Sequence, residues 1–544
     1  LLVTLPGYQL KADGPDVFRN FVVAIPGDAA GYVRGMQFRP GSPGVHHANI
    51  RVDRTTASRQ LDDADPAPGY EGVIARTADY PDGQFLGWTP GQLAPTLADD
   101  AAWRIQGGSD LVVQLHLRPT GRIETIAPTI GFFLGTRAPS RTPTMIRLGR
   151  QDLDIPANAS GHTVSDTFTL PVAVDLRAVQ PHAHYRARSL QAWAIRSDGA
   201  RTPLLRIDDW DVNWQDRYTF AKPMRLEAGT TLRVDYTFDN SVGNPRNPDR
   251  PPQRSRWGWR SSDEMADLWL QVVADSDADR TRLGSAVERK MLAADAVGTE
   301  VLLAREPNHV NLRNDAAGIY LALGRPGDAL RHFEAVRTLL PGSAPAQFNV
   351  GVALEALGRL DEALTRYTDA LTIDSRYSAA YNNSGGVLLR QGQLASARSA
   401  FEHAITADSA NADAYANLGL VMIGAGQSDA ALAQLQKALE LKPALLTGLV
   451  PHVWLLCANA DASARRPEEG RSLAERMARE TFNQDAASLD ALAMCQAAMG
   501  SFAEAIATAT AADPAVPRGA TELRDGIRRR LALYRAGQRF VLPQ

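Results

Sequence analysis

A period of 34 residues runs through the second half of the chain and constrains its fold more than any other feature. Four kinds of position recur at this spacing: a glycine, a small residue earlier in each unit, an alanine and a larger apolar residue. They are Gly324, Gly358, Gly392 and Gly426; Ala317, Gly351, Gly385 and Gly419; Ala329, Ala363, Ala397 and Ala431; and Phe333, Tyr367, Phe401 and Leu435. A repeat of this length cannot bury its hydrophobic face alone, so successive units must stack into an array.

The period and its small residues, placed where two paired helices would touch, resemble the tetratricopeptide repeat. We expect a repeat array over residues 306–544 with four clear units, one or two degenerate units after Pro443, and a polar capping helix in ELRDGIRRRLALYRAGQRF. Such arrays offer a concave groove to an extended peptide or a partner helix, so we expect a protein partner. The alternative is that the repeats only pack against the rest of the chain or against a second copy.

The residues before about position 275 follow a different pattern, and we call them the β half. Alternating runs such as DLVVQLHL and TTLRVDYTF lie between clusters of Pro, Gly, Asn and Asp, which is typical of short antiparallel strands. This pattern predicts two all-β, jelly-roll-like sandwiches over residues 1–147 and 148–275. A helical linker over residues 276–305 would join them to the all-α repeat solenoid.

Charge and hydropathy exclude two classes of partner. The formal net charge is −3, which shows no bias toward polyanions and argues against a nucleic-acid partner. The longest apolar stretch, LLTGLVPHVWLLC, is interrupted by Pro451 and His452 and is too short to span a membrane. We therefore expect a soluble protein.

The two cysteines, Cys457 and Cys495, both lie late in the chain. The β half can therefore form neither a disulfide nor a thiolate metal site, and a metal bound there must use His, Met, Asp or Glu. Because the chain starts at Leu1 instead of Met, we expect a processed or trimmed product whose signal peptide is not visible.

Two pairs of histidines in the β half are candidate metal ligands. In QPHAHYRARSL, His182 and His184 are two residues apart, a spacing that points both rings to one face of a strand. His46 and His47 in VHHANI are adjacent and would point to opposite faces, so they can share an ion only at a bulge, a strand end or a twist. The plain alternative is that each pair consists of polar residues on a solvated face.

Two further segments supply candidate ligands. His116 in DLVVQLHLRPTG would be a third imidazole, and Gln114 on the same face could orient a ligand from the outer shell. Met265, in RWGWRSSDEMADLWLQVV, interrupts a polar run ahead of a strand, where a methionine usually fills core. His162 fits no such pattern and is interpreted as a surface residue at a strand start.

Taken in order, the elements HH, QxH, HxH and SSDEM resemble the copper type II, ascorbate-dependent monooxygenases, a family that includes peptidylglycine α-hydroxylating monooxygenase and dopamine β-monooxygenase. The resemblance covers about half of the chain. It implies two jelly-roll-like domains that face each other across an open cleft and hold one copper ion each. The electron-transfer copper would be held by His46, His47 and His116, and the oxygen-binding copper by His182, His184 and Met265, which are therefore the expected catalytic residues.

The chemistry of copper gives an independent reason for such ligands. Inserting one oxygen atom into a C–H bond while reducing the other to water draws two electrons from outside, which two one-electron sites can supply. Imidazole suits both copper oxidation states, whereas a thioether favours Cu(I). A set of two histidines and one methionine suits zinc poorly, because zinc prefers a third histidine, a carboxylate or a thiolate.

Three positions depart from the peptide-amidating members of the family. Gln180 replaces an arginine that helps to hold the substrate carboxylate, Trp269 replaces a tyrosine, and Asp267 replaces an asparagine. These residues are the expected substrate-binding positions, and their identities make a glycine-extended peptide a poor match. The chain is more similar to bacterial relatives that join this copper fold to tetratricopeptide repeats.

The resulting functional prediction is a copper-dependent monooxygenase that hydroxylates a small organic or peptide-like substrate with O2 and a one-electron donor such as ascorbate. The alternative is a non-catalytic copper-binding scaffold whose repeats recruit protein partners. A zinc hydrolase is a weaker reading, because no glutamate lies beside the histidines in an HExxH spacing. Since the family acts outside the cytosol, we expect a bacterial periplasmic or extracellular location.

Overall fold

The chain divides into two compact units, Leu1–Pro307 and Asn308–Gln544. The structure of both units is a computed structural model. It describes residues 1–544 except 28–29, 72–73, 76, 85, 92–101, 137, 140, 261, 443–444, 482–484, 517–519 and 543–544. Ser261 of the SSDEM motif and Pro443, after which the repeat was expected to degenerate, therefore lie outside the described residues.

The first part of the β half consists of short strands around one helix and one 3-10 turn. In chain order they are β1 Leu2–Thr4, β2 Tyr8–Leu10, β3 Val17–Ala24, β4 Ala30–Arg39, β5 Val45–Asp53, α1 Ala57–Ala64, β6 Tyr70–Glu71, β7 Ala78–Asp79, the 3-10 turn Pro81–Gly83, β8 Leu86–Trp88, β9 Trp103–Gln106, β10 Asp110–Leu117, β11 Glu124–Ile126 and β12 Thr129–Gly135.

Two larger antiparallel sheets form from these strands, beside a two-stranded sheet of β2 and β11. One has the order β1-β12-β4-β9, and the other has the order β6-β3-β10-β5-β7, with β8 also paired to β5. Alternate residues of both sheets enter one hydrophobic core, which includes Val33, Phe38 and Phe132 from the first sheet and Phe21, Ile50 and Leu115 from the second. The predicted β-rich character of this segment is confirmed.

The second part of the β half repeats this arrangement. Its strands are β13 Thr144–Gly149, β14 Asp154–Ile155, β15 Ser160–Thr169, β16 Val174–Ala183, β17 Ala187–Ile195, β18 Arg201–Ile207, β19 Tyr218–Leu226, β20 Thr231–Asp239, β21 Ser255–Arg256 and β22 Ala266–Ala274. The two four-stranded sheets have the orders β13-β22-β16-β19 and β15-β20-β17-β18. Every residue of β22 is buried, as expected for a strand covered on both faces.

The helix α2, Asp277–Leu303, occupies nearly all of the predicted linker. Ser276 caps its first turn by accepting from the backbone N–H of Asp279 at 3.1 Å. Lys290 pairs with Asp166, and Asp295 pairs with Arg147 and accepts from Gln151 at 2.8 Å. These bonds attach α2 to the second part of the β half, within the first compact unit.

The second unit is entirely helical in its described residues, as predicted. Its helices are α3 Val310–Ala322, α4 Pro326–Leu339, α5 Ala344–Ala356, α6 Leu360–Ile373, α7 Ser378–Arg390, α8 Leu394–Ala407, α9 Ala412–Gly424, α10 Ser428–Leu441, α11 Leu446–Ala458, α12 Pro467–Glu480, α13 Ala486–Ala498, α14 Phe502–Ala515 and α15 Thr521–Arg535, with a 3-10 turn at Ala462–Ala464. Four helix pairs, α3 to α10, carry the 34-residue period.

The periodic small and large residues contact each other inside each pair. A Cβ atom built on Gly351 would lie 2.5 Å from the Tyr367 ring, one on Gly385 would lie 2.6 Å from the Phe401 ring, and one on Gly419 would lie 2.8 Å from Leu435. In three of the four pairs, the first helix therefore needs a residue without a side chain where the second helix inserts a large one. In the first pair this position is Ala317. The periodic glycine that follows serves a different purpose, since Gly392 adopts a φ of 75° and ends α7.

We expect Gly385→Ala to lower the free energy of unfolding of the repeat array by about 1–3 kcal/mol, because the new methyl group would overlap the fully buried Phe401 ring. The adjacent Gly386 provides a matched control, because a Cβ there meets nothing within 4 Å. Gly386→Ala should stabilise α7 by up to about 1 kcal/mol. Urea unfolding, monitored by the circular dichroism of the helices, measures the free energy of unfolding of both variants. Equal changes in Gly385→Ala and Gly386→Ala would contradict the packing of Gly385 against Phe401.

The two cysteines form a disulfide between α11 and α13. Cys457 and Cys495 are fully buried in a cluster with Leu456, Met494 and other apolar residues. Gly470 on α12 packs against this bond, since a Cβ atom there would lie 2.3 Å from the Cys457 sulfur. The disulfide thus joins α11 to α13, with α12 packed against the bond, in the part of the array where the repeat is degenerate.

Replacing both cysteines with alanine should destabilise the repeat array by about 3 kcal/mol and lower its Tm by about 5–10 °C, because the bond closes a long chain loop. The sequence separation is 38 residues. Thermal unfolding of wild type with and without a reductant gives the matched comparison. A reductant that shifts the Tm of the double variant as much as that of wild type would contradict this assignment.

Within the described residues, no helix combines the length and the apolar character needed to cross a membrane.

Candidate metal centre

A β-bulge brings His46 and His47 together. Strand β5 pairs with β10 so that His47 faces His116 and Val45 faces Leu117, which leaves His46 as an extra residue without its own partner in the ladder. The extra residue breaks the alternation of side chains, so both neighbouring rings reach the same side. The expectation that an irregularity must occur here is met by this bulge.

The three histidines of the first sandwich, which we call the first histidine set, converge through the same ring atom. His46 Nδ1 lies 3.2 Å from His47 Nδ1, and His116 Nδ1 lies 3.4 Å from His47 Nδ1. Possible ligand atoms of all three residues lie within 4.8 Å of one another, which makes this the one such group among the described residues.

These separations fit a common metal ion. Two nitrogen ligands held about 2.0 Å from one ion at tetrahedral or trigonal angles lie about 3.3–3.5 Å from each other. Nitrogen atoms that direct lone pairs at one another repel, and a cation between them removes that repulsion. The first histidine set therefore has the donor atoms and the spacing of a three-imidazole metal site. Imidazole suits zinc, copper, iron and nickel.

A carboxylate fixes the orientation of His116. Asp16 Oδ2 lies 2.7 Å from His116 Nε2, so Nε2 donates its proton to the carboxylate and Nδ1 is the ring nitrogen that faces His47. The ring also stacks on Phe18 with centroids 4.3 Å apart. Such a bond from the outer nitrogen is typical of metal-binding histidines. Gln114, the residue expected in this role, donates to Asn20 Oδ1 at 3.0 Å.

The second histidine set, His182 and His184, lies at the end of β16. Its ring centroids are 5.3 Å apart, in agreement with the shared face expected from the spacing. Gln215 Oε1 accepts from His182 Nδ1 at 2.5 Å, and the carbonyl oxygen of Asp263 accepts from His184 Nδ1 at 3.1 Å. Both rings are thereby held with their Nε2 lone pairs available for a metal.

Met265 is tied to the second histidine set through the residue before it. The buried Glu264 side chain accepts from the backbone N–H groups of His184, Arg186 and Met265. This carboxylate holds the residues just before β22 against the end of β16. Met265, which is half-buried, follows Glu264 directly in the chain. Burial raises the pKa of Glu264 to about 7, against the lowering effect of these donors.

Burial keeps four of these imidazoles neutral near pH 7. It lowers the pKa of His46 to about 4 and that of His184 to about 3, with a neighbouring histidine as the second cause in each case. Burial also lowers the pKa of His47, to well below its usual range, and that of His182. A neutral ring offers a lone pair to a metal without first losing a proton.

The two histidine sets lie next to each other, which differs from the open cleft implied by the resemblance. The rings of His47 and His182 have centroids 6.3 Å apart. Beside them, Tyr80 contacts Trp269 edge to face at 5.4 Å, and Gln271 donates to Gln84 at 2.9 Å. The two parts of the β half are therefore in direct contact around the histidines.

The expected substrate-binding residues share a sheet face with His182. Gln180 pairs with Trp269 and His182 pairs with Asp267 across β16 and β22. Both Gln180 and Asp267 are buried, and among the described residues their atoms Gln180 Oε1 and Asp267 Oδ1 have no hydrogen-bond partner. Burial raises the pKa of Asp267, although Arg147 acts in the opposite direction.

Sequence reasoning missed the residues that hold the rings from outside. Asp16 and Gln215 each hydrogen-bond a histidine that is far away in the sequence. No spacing rule links them to the ligands, because these contacts form only when distant strands and loops meet. His162 lies near the start of β15 and is half-exposed, as interpreted from the sequence.

Comparison with known proteins identifies the helical unit. The tetratricopeptide repeat family matches residues 314–378 and again residues 388–460. No curated protein matches the sequence. Among solved structures, MamA from Desulfovibrio magneticus is 24% identical, with 31% of this chain and 92% of that chain covered and a TM-score of 0.25. YrrB, described as a TPR protein with an unusual peptide-binding site, is 22% identical, with 36% and 97% covered and a TM-score of 0.27. The C-terminal part of the chain thus contains tetratricopeptide repeats.

Proposed function

We propose that the chain is a copper-dependent monooxygenase joined to a protein-interaction array. The observation that carries the proposal is the convergence of three Nδ1 atoms at 3.2–3.4 Å beside a second pair of oriented imidazoles. The reaction would insert one atom of O2 into a C–H bond and reduce the other to water, with two electrons from a donor such as ascorbate and two protons.

Copper held by the two histidine sets would supply one-electron redox chemistry and a position for O2. The residues of the chain would bind the copper ions and orient the histidine rings that hold them. Asp16 and Gln215 fix the tautomers of His116 and His182, so the correct nitrogen of each ring faces inward. Met265 would complete the second site as a soft ligand.

The proposal includes the jelly-roll class for both parts of the β half. In each part, most successive long strands alternate between two sheets, whereas β17 and β18 pair within one sheet. The first and last strands are neighbours: β1 beside β12, and β13 beside β22. This order is that of an eight-stranded double Greek key. The architecture supports the proposal because one sheet of each sandwich carries a histidine set.

The substrate would bind at the face shared by Gln180, His182, Asp267 and Trp269. Buried polar atoms without partners indicate a polar molecule, because each unmatched atom costs about 1–3 kcal/mol unless a ligand satisfies it. An aromatic side chain, Trp269, borders the same face. A small organic or peptide-like substrate with hydrogen-bonding groups fits these features.

The experiment for this function is copper titration of the full chain followed by O2 consumption with ascorbate. We expect two copper ions per chain and reductant-dependent O2 uptake that increases with a hydroxylatable substrate. Bound copper without O2 uptake under any of these conditions would reject the monooxygenase. Elemental analysis after aerobic purification shows whether the same sample contains zinc instead of copper, as a zinc hydrolase would.

A second candidate is a non-catalytic copper-binding scaffold, and the tetratricopeptide repeats favour it. These repeats support a protein-interaction function, which requires no catalysis. Co-purification with the full chain, compared with a variant carrying substitutions in the exposed faces of α3, α5, α7 and α9, tests partner recruitment. Turnover of a small substrate by the full chain would count against a purely scaffolding function.

We also propose a periplasmic or extracellular location. The buried disulfide Cys457–Cys495 supports this, because disulfides form and persist in oxidising compartments. Retention of the disulfide in protein isolated from its native compartment under thiol-blocking conditions tests the proposal.

A further inference from the structure

One arginine beside the expected substrate-binding residues has no carboxylate partner. Arg217 comes directly before β19, and among the described residues no Asp or Glu forms an ion pair with it. Its Nε is buried and has no hydrogen-bond partner in the described part of the chain. Its Nη2 donates to Gln271 Oε1 at 3.4 Å, which is longer than the usual range of about 2.7–3.2 Å. A guanidinium has five N–H donors, so most of the hydrogen-bonding capacity of Arg217 is left for a ligand.

The strand register places Arg217 close to the second histidine set. Across β16 and β19, Val179 pairs with Tyr218. The preceding residue, Arg217, therefore lies at the level of Gln180. His182 is two residues beyond Gln180 on the same strand and lies on the same face, about 7 Å along it.

The first sandwich covers this face. Tyr80 contacts Trp269 edge to face, with ring centroids 5.4 Å apart. Gln271 donates to Gln84 Oε1 at 2.9 Å, so its own oxygen is the atom that accepts from Arg217. The guanidinium therefore lies beside a partly desolvated space, where a hydrogen bond to an anion is stronger than at an exposed surface.

Neither nearby carboxylate neutralises Arg217. Asp216 accepts from the backbone N–H of Arg217 at 2.7 Å, but its side chain forms no ion pair with the guanidinium. Asp267, in the row of His182, leans over Gly149 on β13, because a Cβ atom on Gly149 would overlap its Oδ1. Burial lowers the pKa of Arg217, and the charge of Asp216 offsets this only in part.

We propose that Arg217 binds a carboxylate group of the molecule that occupies the face of Gln180 and Trp269. A guanidinium binds a carboxylate through two parallel N–H···O bonds, and the free Nε and an Nη nitrogen of Arg217 have this geometry. Carboxylate binding follows from these residues alone, whereas identifying the bound molecule as the substrate rests on the proposed function. A carboxylate at Arg217 would direct the rest of a small substrate toward His182.

The test compares phenylacetate with its neutral analogue phenylacetamide, by isothermal titration calorimetry on the full chain. Metal ions are removed beforehand, so that copper cannot bind the carboxylate. We expect wild type to bind phenylacetate at least about 10-fold more tightly than phenylacetamide, because charge-assisted hydrogen bonds are the stronger ones. Arg217→Gln should weaken phenylacetate binding about 10–100-fold and leave phenylacetamide binding unchanged. Arg217→Lys keeps the charge without the planar donor pair and should have an intermediate affinity.

Arg201→Gln is the matched control, because Arg201 is an exposed arginine on β18. It should leave the affinity for both probes unchanged. Arg217→Gln should keep the Tm of wild type, since the guanidinium has no carboxylate partner to lose. A clearly lower Tm in that variant would assign Arg217 a structural function and overturn the inference.

Two further results would overturn it: equal affinity of wild type for the two probes, or wild-type affinity for phenylacetate in Arg217→Gln. The outcome is separable from that of the proposed function. Phenylacetate binding at Arg217 in a chain that takes up no copper would reject the monooxygenase and retain the carboxylate site. Two bound copper ions without phenylacetate binding would reject the carboxylate site alone.

Discussion

Replacing His47 with alanine should reduce the copper bound by the full chain from two ions to one. His47 is the middle residue of the first histidine set, since its Nδ1 contacts the Nδ1 atoms of both His46 and His116. Without it, the site loses the nitrogen that lies next to both other ligand nitrogens, and we expect its copper to be lost on gel filtration. Elemental analysis of the protein after gel filtration gives the stoichiometry directly.

His116→Ala should produce the same loss, because the two residues serve one ion. His162→Ala is the control, since this half-exposed histidine lies at the start of β15 and belongs to neither set. Circular dichroism melting establishes that each variant is folded. If His47→Ala and His162→Ala retain equal amounts of copper, the first histidine set is not a copper site.

Met265→Ala should retain both copper ions but lower ascorbate-dependent O2 uptake by about 100-fold or more. The two imidazoles of the second histidine set remain in place, because Gln215 and the Asp263 carbonyl orient them independently of the methionine. The thioether favours Cu(I), the state that must meet O2, so its loss affects reactivity more than metal content. An oxygen electrode measures the rate, and elemental analysis measures the copper.

Met224 provides a comparison at similar burial, because it lies half-buried on β19. Met224→Ala should leave O2 uptake at the wild-type rate. Normal uptake in Met265→Ala would remove Met265 from the second site. Loss of copper together with activity in that variant would instead assign Met265 a structural contribution to the site.

The helical half shows how far a sequence pattern can predict packing. The period located the small residue of one helix and the large residue of the next, and the structure places Gly385 against Phe401 as that pattern requires. Local spacing was sufficient because each repeat packs mainly against its own neighbours. The disulfide between Cys457 and Cys495 was not predicted, since it forms where the repeat loses its register.

The β half shows which contacts a local sequence pattern cannot predict. An irregularity at His46 and His47 was the condition for a shared ion, because adjacent residues on a regular strand point to opposite faces, and the structure has a bulge there. The common face of His182 and His184 followed from their spacing. The outer partners Asp16 and Gln215 could not be predicted, because they come from other parts of the chain. The adjacency of the two histidine sets likewise depends on how the sandwiches meet, which no local pattern encodes.

Anomalous X-ray scattering at the copper edge from crystals of the copper-loaded full chain tests the central claim most directly. We predict two peaks, one among the Nδ1 atoms of His46, His47 and His116, and one beside the Nε2 atoms of His182 and His184 with the Met265 sulfur as a further ligand. Copper peaks only at other residues, or no peak at the first histidine set, would contradict the assignment of the β half as a copper protein.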